Sequence, residues 1–118
     1  MTESYITPAT VVDARVRISQ TGKAYIQAEL IPGWGDERLY AVMVIMDKTR
    51  WVWETTLQRA LNEYEYFALG LSDPDLSTPD ACFDLATQIA NILVGKHVHV
   101  RVVRIKWRDK IRNDVRWV

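Results

Sequence analysis

Residues 96–118 hold the side chains with the clearest chemical meaning, because cations and aromatic rings alternate there with Val and Ile. This stretch contains eight Lys or Arg and two acids, a balance of +6, although the whole chain has no net charge. Residues 1–95 therefore carry a balance of −6. Cations can follow a phosphate backbone, and flat rings can stack on bases. The pattern indicates binding of a nucleic acid.

The predicted binding residues are cations and aromatic rings that strands or their turns would expose. Arg38 and Tyr40 are two residues apart and would share one face of a strand. The same spacing places Arg104, Lys106 and Arg108 on one face of a later strand. Such clustering of like charges is unfavourable unless something negative is usually bound there.

Trp51 and Trp53 have the same spacing and follow the basic stretch "DKTR". They either pack a helix onto the core or project as a platform for stacking. Both are kept in the predicted binding set. That set comprises Lys23, Tyr25, Arg38, Tyr40, Trp51, Trp53, Arg104, Lys106, Arg108, Lys110 and Arg112.

Patterns for catalysis or metal binding are weak. His97 and His99 would share one face of a strand, but no Asp, Glu or Cys beside them completes a metal site. The acids of "SDPDL" are typical of a solvated turn. No Ser-His-Asp set, Gly-rich phosphate loop or HExxH pattern occurs. We therefore expect a protein without enzymatic activity, metal or cofactor.

Length and composition predict one domain over residues 1–118. A chain of this length with 48% hydrophobic residues can form one core and has little room for a second. Cys82 is the only cysteine, which excludes an internal disulfide and fits a reducing compartment. Neither a membrane-spanning run nor a signal peptide is apparent. We expect a cytoplasmic protein that does not bind membranes.

Alternation of apolar and polar residues predicts three strands in the first part of the chain. Residues 11–30 form a hairpin around "SQTGK", where Gly22 permits a tight turn. After the loop "PGWGDE", residues 38–46 form the third strand. Residues 1–10 precede the hairpin and are assigned to an N-terminal extension.

The period then changes to three or four residues, which predicts two helices within residues 54–95. The first helix has an apolar stripe from Leu57 to Leu71, with Thr55 or Thr56 as its cap. The second begins at Ser77 or Thr78, has Pro79 in its first turn and ends at Gly95.

Two further strands are predicted at 97–107 and 111–118, joined by "RDK". The doubled Val102 and Val103 interrupt the alternation, which indicates a bulge and leaves open which way Arg101 and Arg104 face. The order βββ-αα-ββ is typical of an OB-fold, an all-β barrel of five strands with a helical insertion between strands 3 and 4.

Several stretches resemble the small phage-encoded OB-fold single-stranded DNA-binding proteins. They are "VRISQTGKAYIQAEL", "QRALNEYEYFALGL", "LVGKHVHVRV" and "RNDVRWV", within a resemblance that covers about residues 10–118. It implies binding of single-stranded DNA (ssDNA) in bacteriophage DNA replication or DNA recombination, in the host cytoplasm, without nucleotide hydrolysis. The acidic C-terminal tail of many such proteins is not matched here.

Two functions from different classes stay open. The first is sequence-tolerant ssDNA binding by a basic groove and aromatic stacking, with RNA binding undecided. The second is an OB-type protein-interaction module, an adaptor or inhibitor whose basic strand binds an acidic partner. Because the last strand is apolar and lacks a charged guard, we also expect a homodimer or larger homo-oligomer.

Overall fold

The computed structural model describes residues 2–118, and for Thr2 the backbone alone. Five strands form one antiparallel sheet in the order β3-β2-β1-β4-β5. The strands are β1 (Thr2–Ile18), β2 (Ala24–Pro32), β3 (Leu39–Val44), β4 (His97–Trp107) and β5 (Lys110–Trp117). This places β1 at the centre of the sheet.

The long strand β1 joins the two halves of the sheet. Its residues 2–10 pair with β4, and its residues 9–18 pair with β2, with a bulge between Val11 and Asp13. Residues 2–10 therefore belong to the sheet rather than to the N-terminal extension that the sequence analysis assigned; Met1 lies outside the described residues. Pro8 fits inside β1 because pairing with β2 begins only at Ala9, so its missing N–H costs no bond to β2.

Side-chain contacts bring the two ends of the sheet together. The indole N–H of Trp117 on β5 donates to the Val42 carbonyl oxygen on β3, at 3.0 Å. In the loop before β3, Glu37 accepts bonds from Asn113 at 3.0 Å and Arg104 at 3.2 Å. The result is a nearly closed five-stranded antiparallel barrel with helices between its strands, which confirms the predicted OB-fold-like architecture.

The helical part begins earlier than predicted and is divided differently. A 3₁₀ helix (Asp47–Thr49) leads into α1 (Arg50–Ala60), and α2 (Glu63–Ala68) follows. The prediction of one continuous helix capped by Thr55 or Thr56 is wrong. Asn62 starts α2 with a capping box. The Asn62 side chain accepts from the Glu65 backbone N–H, and the Glu65 carboxylate accepts from the Asn62 backbone N–H.

The third helix, α3 (Pro79–Leu93), agrees with the sequence analysis. Thr78 caps it, Pro79 opens its first turn, and Gly95 follows its end with a φ of 89° that suits glycine. The buried face of α3 packs on β1 and β2. Its core residues are Cys82, Leu85, Ala86, Ile89, Ala90 and Leu93.

The register of β4 is continuous against both of its neighbours, so the bulge predicted at Val102 and Val103 does not form. Residues 97–107 form a strand as predicted, and the following strand spans Lys110–Trp117 in place of 111–118. The irregularity lies in β1 instead. Within residues 2–118, no helix is long and apolar enough to cross a membrane.

Candidate nucleic-acid interface

The outer face of β1, β2 and β3 brings cations and rings side by side. On β2, Ala24, Ile26 and Ala28 are buried in the core, so Tyr25 and Gln27 point outward. The register sets Arg17 opposite Tyr25 and Arg15 opposite Gln27. Tyr40 on β3 and Arg38 just before β3 belong to the same surface. We call this surface, which comprises Arg15, Arg17, Tyr25, Gln27, Arg38 and Tyr40, the β1–β3 outer face.

Tyr40 extends the same surface on β3. Its neighbours Leu39 and Ala41 are buried, and its own side chain is exposed. It lies opposite Glu29 on β2, and its hydroxyl donates to a Glu29 carboxylate oxygen at 3.4 Å. Arg38 lies just before β3, and its Nε is 3.7 Å from a carboxylate oxygen of the same Glu29. The predicted pair Arg38 and Tyr40 thus converges on one acid.

The cations of the β1–β3 outer face are held by exposed polar partners. The Nε of Arg15 donates to Asp13 at 3.0 Å, and that of Arg17 donates to Gln27 at 2.9 Å. The Arg15–Asp13 contact is an exposed ion pair, and such pairs contribute little to stability, about 0–1 kcal/mol. A phosphate can therefore replace the carboxylate partner without unfolding the sheet.

Arg15 and Arg17 were not among the predicted binding residues. The signal was present in "DARVR", where two Arg residues are separated by Val16. Val16 packs against the core, which directs both Arg side chains outward. Strict alternation in a strand that ends beside the Gly22 turn could have identified them.

The turn between β1 and β2 presents Lys23. Ser19 organises this turn, because its N–H donates to the Lys23 carbonyl oxygen at 2.9 Å and its hydroxyl accepts from the Lys23 N–H at 3.0 Å. Gly22 adopts a φ of 81°, as the turn requires. The Lys23 side chain is exposed, while Tyr25 is partly buried beside it.

The predicted cations of β4 and β5 do not form one wall. Arg104 and Lys106 continue the inward line of Val98, Val100 and Val102 beyond the end of the core. Their partners across the ladder are Asn113 and Ile111. Lys110 and Arg112 pair with Trp107 and Ile105 and so point outward. The set predicted as one groove is divided between the two faces of the hairpin.

Arg104 is held within the mouth of the barrel. It donates to Glu37 at 3.2 Å and lies over the Tyr5 ring, with its guanidinium carbon 5.9 Å from the ring centroid. Tyr5 in turn meets Trp34 edge-on, with the ring centroids 5.8 Å apart. These contacts close the barrel between β4 and the loop before β3, so Arg104 has a structural role.

The outer face of β4 and β5 carries a like-charge pair that the sequence analysis missed. Arg101 lies directly opposite Arg116 in the ladder, and both side chains are exposed. Arg116 is bonded to Asp114 at 3.2 Å, whereas no ion pair of Arg101 occurs within residues 2–118. Like charges at directly opposed positions destabilise a sheet. An anion bound here would relieve that repulsion.

The turn between β4 and β5 is exposed and conformationally unusual. Arg108 has a φ of 55°, the one positive φ of a non-glycine residue within the described chain. Its guanidinium lies over the Trp107 ring, 4.4 Å from the centroid, in a cation–π contact. We call residues Ile105–Ile111 the hairpin tip.

The two tryptophans of α1 have opposite environments. Trp53 is 0% exposed and its indole N–H donates to the Met46 carbonyl oxygen at 3.4 Å, so its predicted binding role is wrong and it is a core residue. Trp51 is 79% exposed on the same helix. It lies on α1, whereas the predicted cations lie on strands or in the turns beside them.

Other reactive groups have ordinary structural environments. His97 shares a 3.1 Å hydrogen bond with the Thr10 hydroxyl, and no group of three potential metal ligands occurs in the part of the chain that the structure describes. Burial raises the pKa of the Cys82 thiol, which disfavours the reactive thiolate.

Comparison of the sequence with models of known protein families and with curated proteins finds no match.

Proposed function

We propose that the protein is a non-enzymatic ssDNA-binding protein whose main contact surface is the β1–β3 outer face. One observation supports this most directly: Arg17 lies opposite Tyr25 and Arg15 opposite Gln27 on an open sheet surface that continues to Tyr40. Sequence-tolerant binding needs this combination of cations for phosphates and rings for bases.

The proposed path for DNA continues from β3 to β5. Trp117 and Val42 join these strands side by side, so the outward residues of β5 lie next to those of β3. Arg112, Arg116 and, on β4, Arg101 would meet the next phosphates. An anion there removes the repulsion between Arg101 and Arg116, which supplies an energetic reason for binding.

The biological setting that we propose is bacteriophage DNA replication or recombination, where ssDNA arises transiently. It depends on the resemblance of the sequence stretches to phage proteins. The β1–β3 outer face itself carries no feature that distinguishes DNA from RNA, so both polymers belong in the test.

Titration with a fluorescent oligonucleotide at several salt concentrations tests the proposal. Arg15→Ala with Arg17→Ala should reduce the slope of log affinity against log salt by about two, because about one unit is expected for each phosphate contact. Tyr40→Ala should weaken binding by roughly 1–3 kcal/mol at every salt concentration. Tyr40→Phe is the matched control, since it removes only the hydroxyl that donates to Glu29.

Unchanged affinity in the Arg15 and Arg17 double variant would exclude the β1–β3 outer face. No binding of wild type to ssDNA or RNA, together with binding of an acidic protein, would favour the interaction-module function. The Tyr40→Phe variant separates loss of stacking from loss of a hydrogen bond.

A further inference from the structure

Two exposed apolar surfaces lie in parts of the molecule that carry opposite charge. The first is a groove along α1 and α2, which we call the helical groove, lined by Gln58, Leu61, Glu63, Tyr64, Phe67 and Ser72. Tyr64 is 81% exposed and Phe67 77% exposed. The second is the hairpin tip, where Trp107 is 65% and Ile111 68% exposed.

The charges around these surfaces are complementary. Residues 47–95, which contain all the helices, have eight acids and three Lys or Arg, a balance of −5. Residues 96–118 have a balance of +6, and five of their cations (Arg104, Lys106, Arg108, Lys110 and Arg112) lie in or next to the hairpin tip. Such complementarity steers association and fixes orientation.

The helical groove is organised before any partner binds. Tyr64 and Phe67 are three residues apart on α2 and therefore lie on one face of that helix. The capping box of Asn62 and Glu65 fixes the start of α2. Lys96, at the start of β4, donates to Glu65 at 2.5 Å and ties the helix to the barrel.

The hairpin tip cannot fill the helical groove of its own molecule. Trp107 lies at the far end of β4 from Lys96, which anchors α2. At about 3.3 Å per strand residue, the separation is on the order of 30 Å. The occupant of the groove must therefore come from another molecule.

We propose that the hairpin tip of one copy of this chain binds the helical groove of the next copy. Trp107 would cover Tyr64 and Phe67, while Lys110, which shares its face of the hairpin, and Arg108 in the turn would face the acids of the helical part. A nucleic acid does not suit the groove, because Glu63 lines it and repels phosphate. The contact uses two different surfaces, so a copy bound through its tip keeps a free groove, and we expect repetition to give an open row of molecules.

The arrangement differs from the edge-strand dimer that the sequence predicts. A symmetric contact between last strands would use the same surface of both copies, and changes in α2 would leave it intact. The head-to-tail contact needs one tip and one groove. Two variants that each lack one of them can therefore distinguish the two arrangements.

The test is sedimentation velocity without nucleic acid, using wild type, a tip variant (Trp107→Ala with Lys110→Glu) and a groove variant (Tyr64→Ala with Phe67→Ala). All four side chains are exposed, and circular dichroism would verify the fold. Wild type should form species of increasing mass as its concentration rises, more weakly at high salt. Each variant alone should associate at least about tenfold more weakly.

The decisive sample is an equal mixture of the two variants. It contains one intact tip and one intact groove for each pair, so it should form a dimer and nothing larger. A mixture that stays monomeric, or a groove variant that associates like wild type, overturns the proposal, and so does a monomeric wild type. Tyr40→Ala is the control: it should associate normally while binding ssDNA poorly, which separates failure of this proposal from failure of the proposed function.

Discussion

The helical part, residues 47–95, and the C-terminal hairpin, residues 96–118, use their charges in opposite ways. In the helical part, acids stabilise local structure: Glu65 bonds the Asn62 N–H and Lys96, and Asp75 accepts from Ser77. Those bonds lower the pKa of both carboxyl groups. Glu65 and Asp75 thus have structural partners, as does Glu54, which pairs with Arg50.

Most hairpin cations lack such partners. Arg101, Lys106, Arg108, Lys110 and Arg112 form no ion pair within residues 2–118. Arg101 even faces another cation. Charges that form no ion pair in the folded chain are the better candidates for a partner, so the comparison directs functional tests to the hairpin cations and stability tests to the bonded acids of the helical part.

The largest expected effect is the loss of folding stability when a tryptophan of the helical part, rather than one of the hairpin, is replaced by alanine. Trp53→Ala should lower the free energy of unfolding by about 3–5 kcal/mol, because it empties a fully buried site in the helical part. Trp107→Ala in the hairpin should change it by about 0.5 kcal/mol or less. Urea unfolding measures both, and Trp51→Ala is the control for loss of an exposed ring from the same helix. Comparable losses for Trp53 and Trp107 would contradict the comparison.

Much of the fold follows from sequence where one signal dominates. Residues 97–107 alternate Val with polar residues, and β4 forms there. Thr78 and Pro79 mark the start of α3. Around Asn62 two signals compete, because the apolar stripe continues from Leu57 past the break between α1 and α2. The cap signal of Asn62 followed by Glu65 was present and outweighs the stripe.

The binding surface is less predictable, since it depends on register. The outward direction of Lys110 and the inward direction of Lys106 follow from their pairing with Trp107 and Ile111. Residue types alone place all these cations in one set. The opposition of Arg101 and Arg116 likewise needs knowledge of which residues face each other across the ladder.

A change of intermediate size is expected when Arg101 is replaced by Glu, which should raise folding stability and weaken ssDNA binding. Arg101→Glu converts its like-charge pair with Arg116 into an attractive pair and should stabilise the protein by roughly 0.2–1 kcal/mol. The same change should weaken ssDNA binding and lower its salt slope, because a phosphate contact is lost. Urea unfolding and oligonucleotide titration measure the two effects. Arg101→Gln should give a smaller gain in stability, since it removes repulsion without adding attraction.

If Arg101→Glu destabilises the sheet, other contacts of Arg101 outweigh its repulsion from Arg116. If binding is unchanged, the outer face of β4 and β5 lies off the DNA path. Either result would weaken the view that hairpin cations are free for a partner.

The smallest effect concerns the junction of the two regions, where Lys96 bonds Glu65. The Lys96 hydrogen bond, followed by that of the Asn62 N–H, lowers the pKa of Glu65 below its ordinary value of 4.5. A lowered folded-state pKa adds stability above the ordinary value, and this stability is lost as pH falls through the folded-state pKa. Glu65→Gln should therefore lower the melting temperature slightly near neutral pH, and this difference should disappear as pH falls through the folded-state pKa of Glu65.

Glutamine is the informative replacement because its amide oxygen can still accept from the Asn62 N–H and keep the capping box. The variant thus removes only the charge that faces Lys96. Lys96→Gln should cause a similar loss near neutral pH, and the double variant should lose no more than either single variant, because both remove the same interaction. Asp75 also has a lowered pKa, but it titrates in every variant and cancels in the differences. A loss in Glu65→Gln that persists in acid would assign the effect to α2 capping rather than to the bond between the acidic and basic regions.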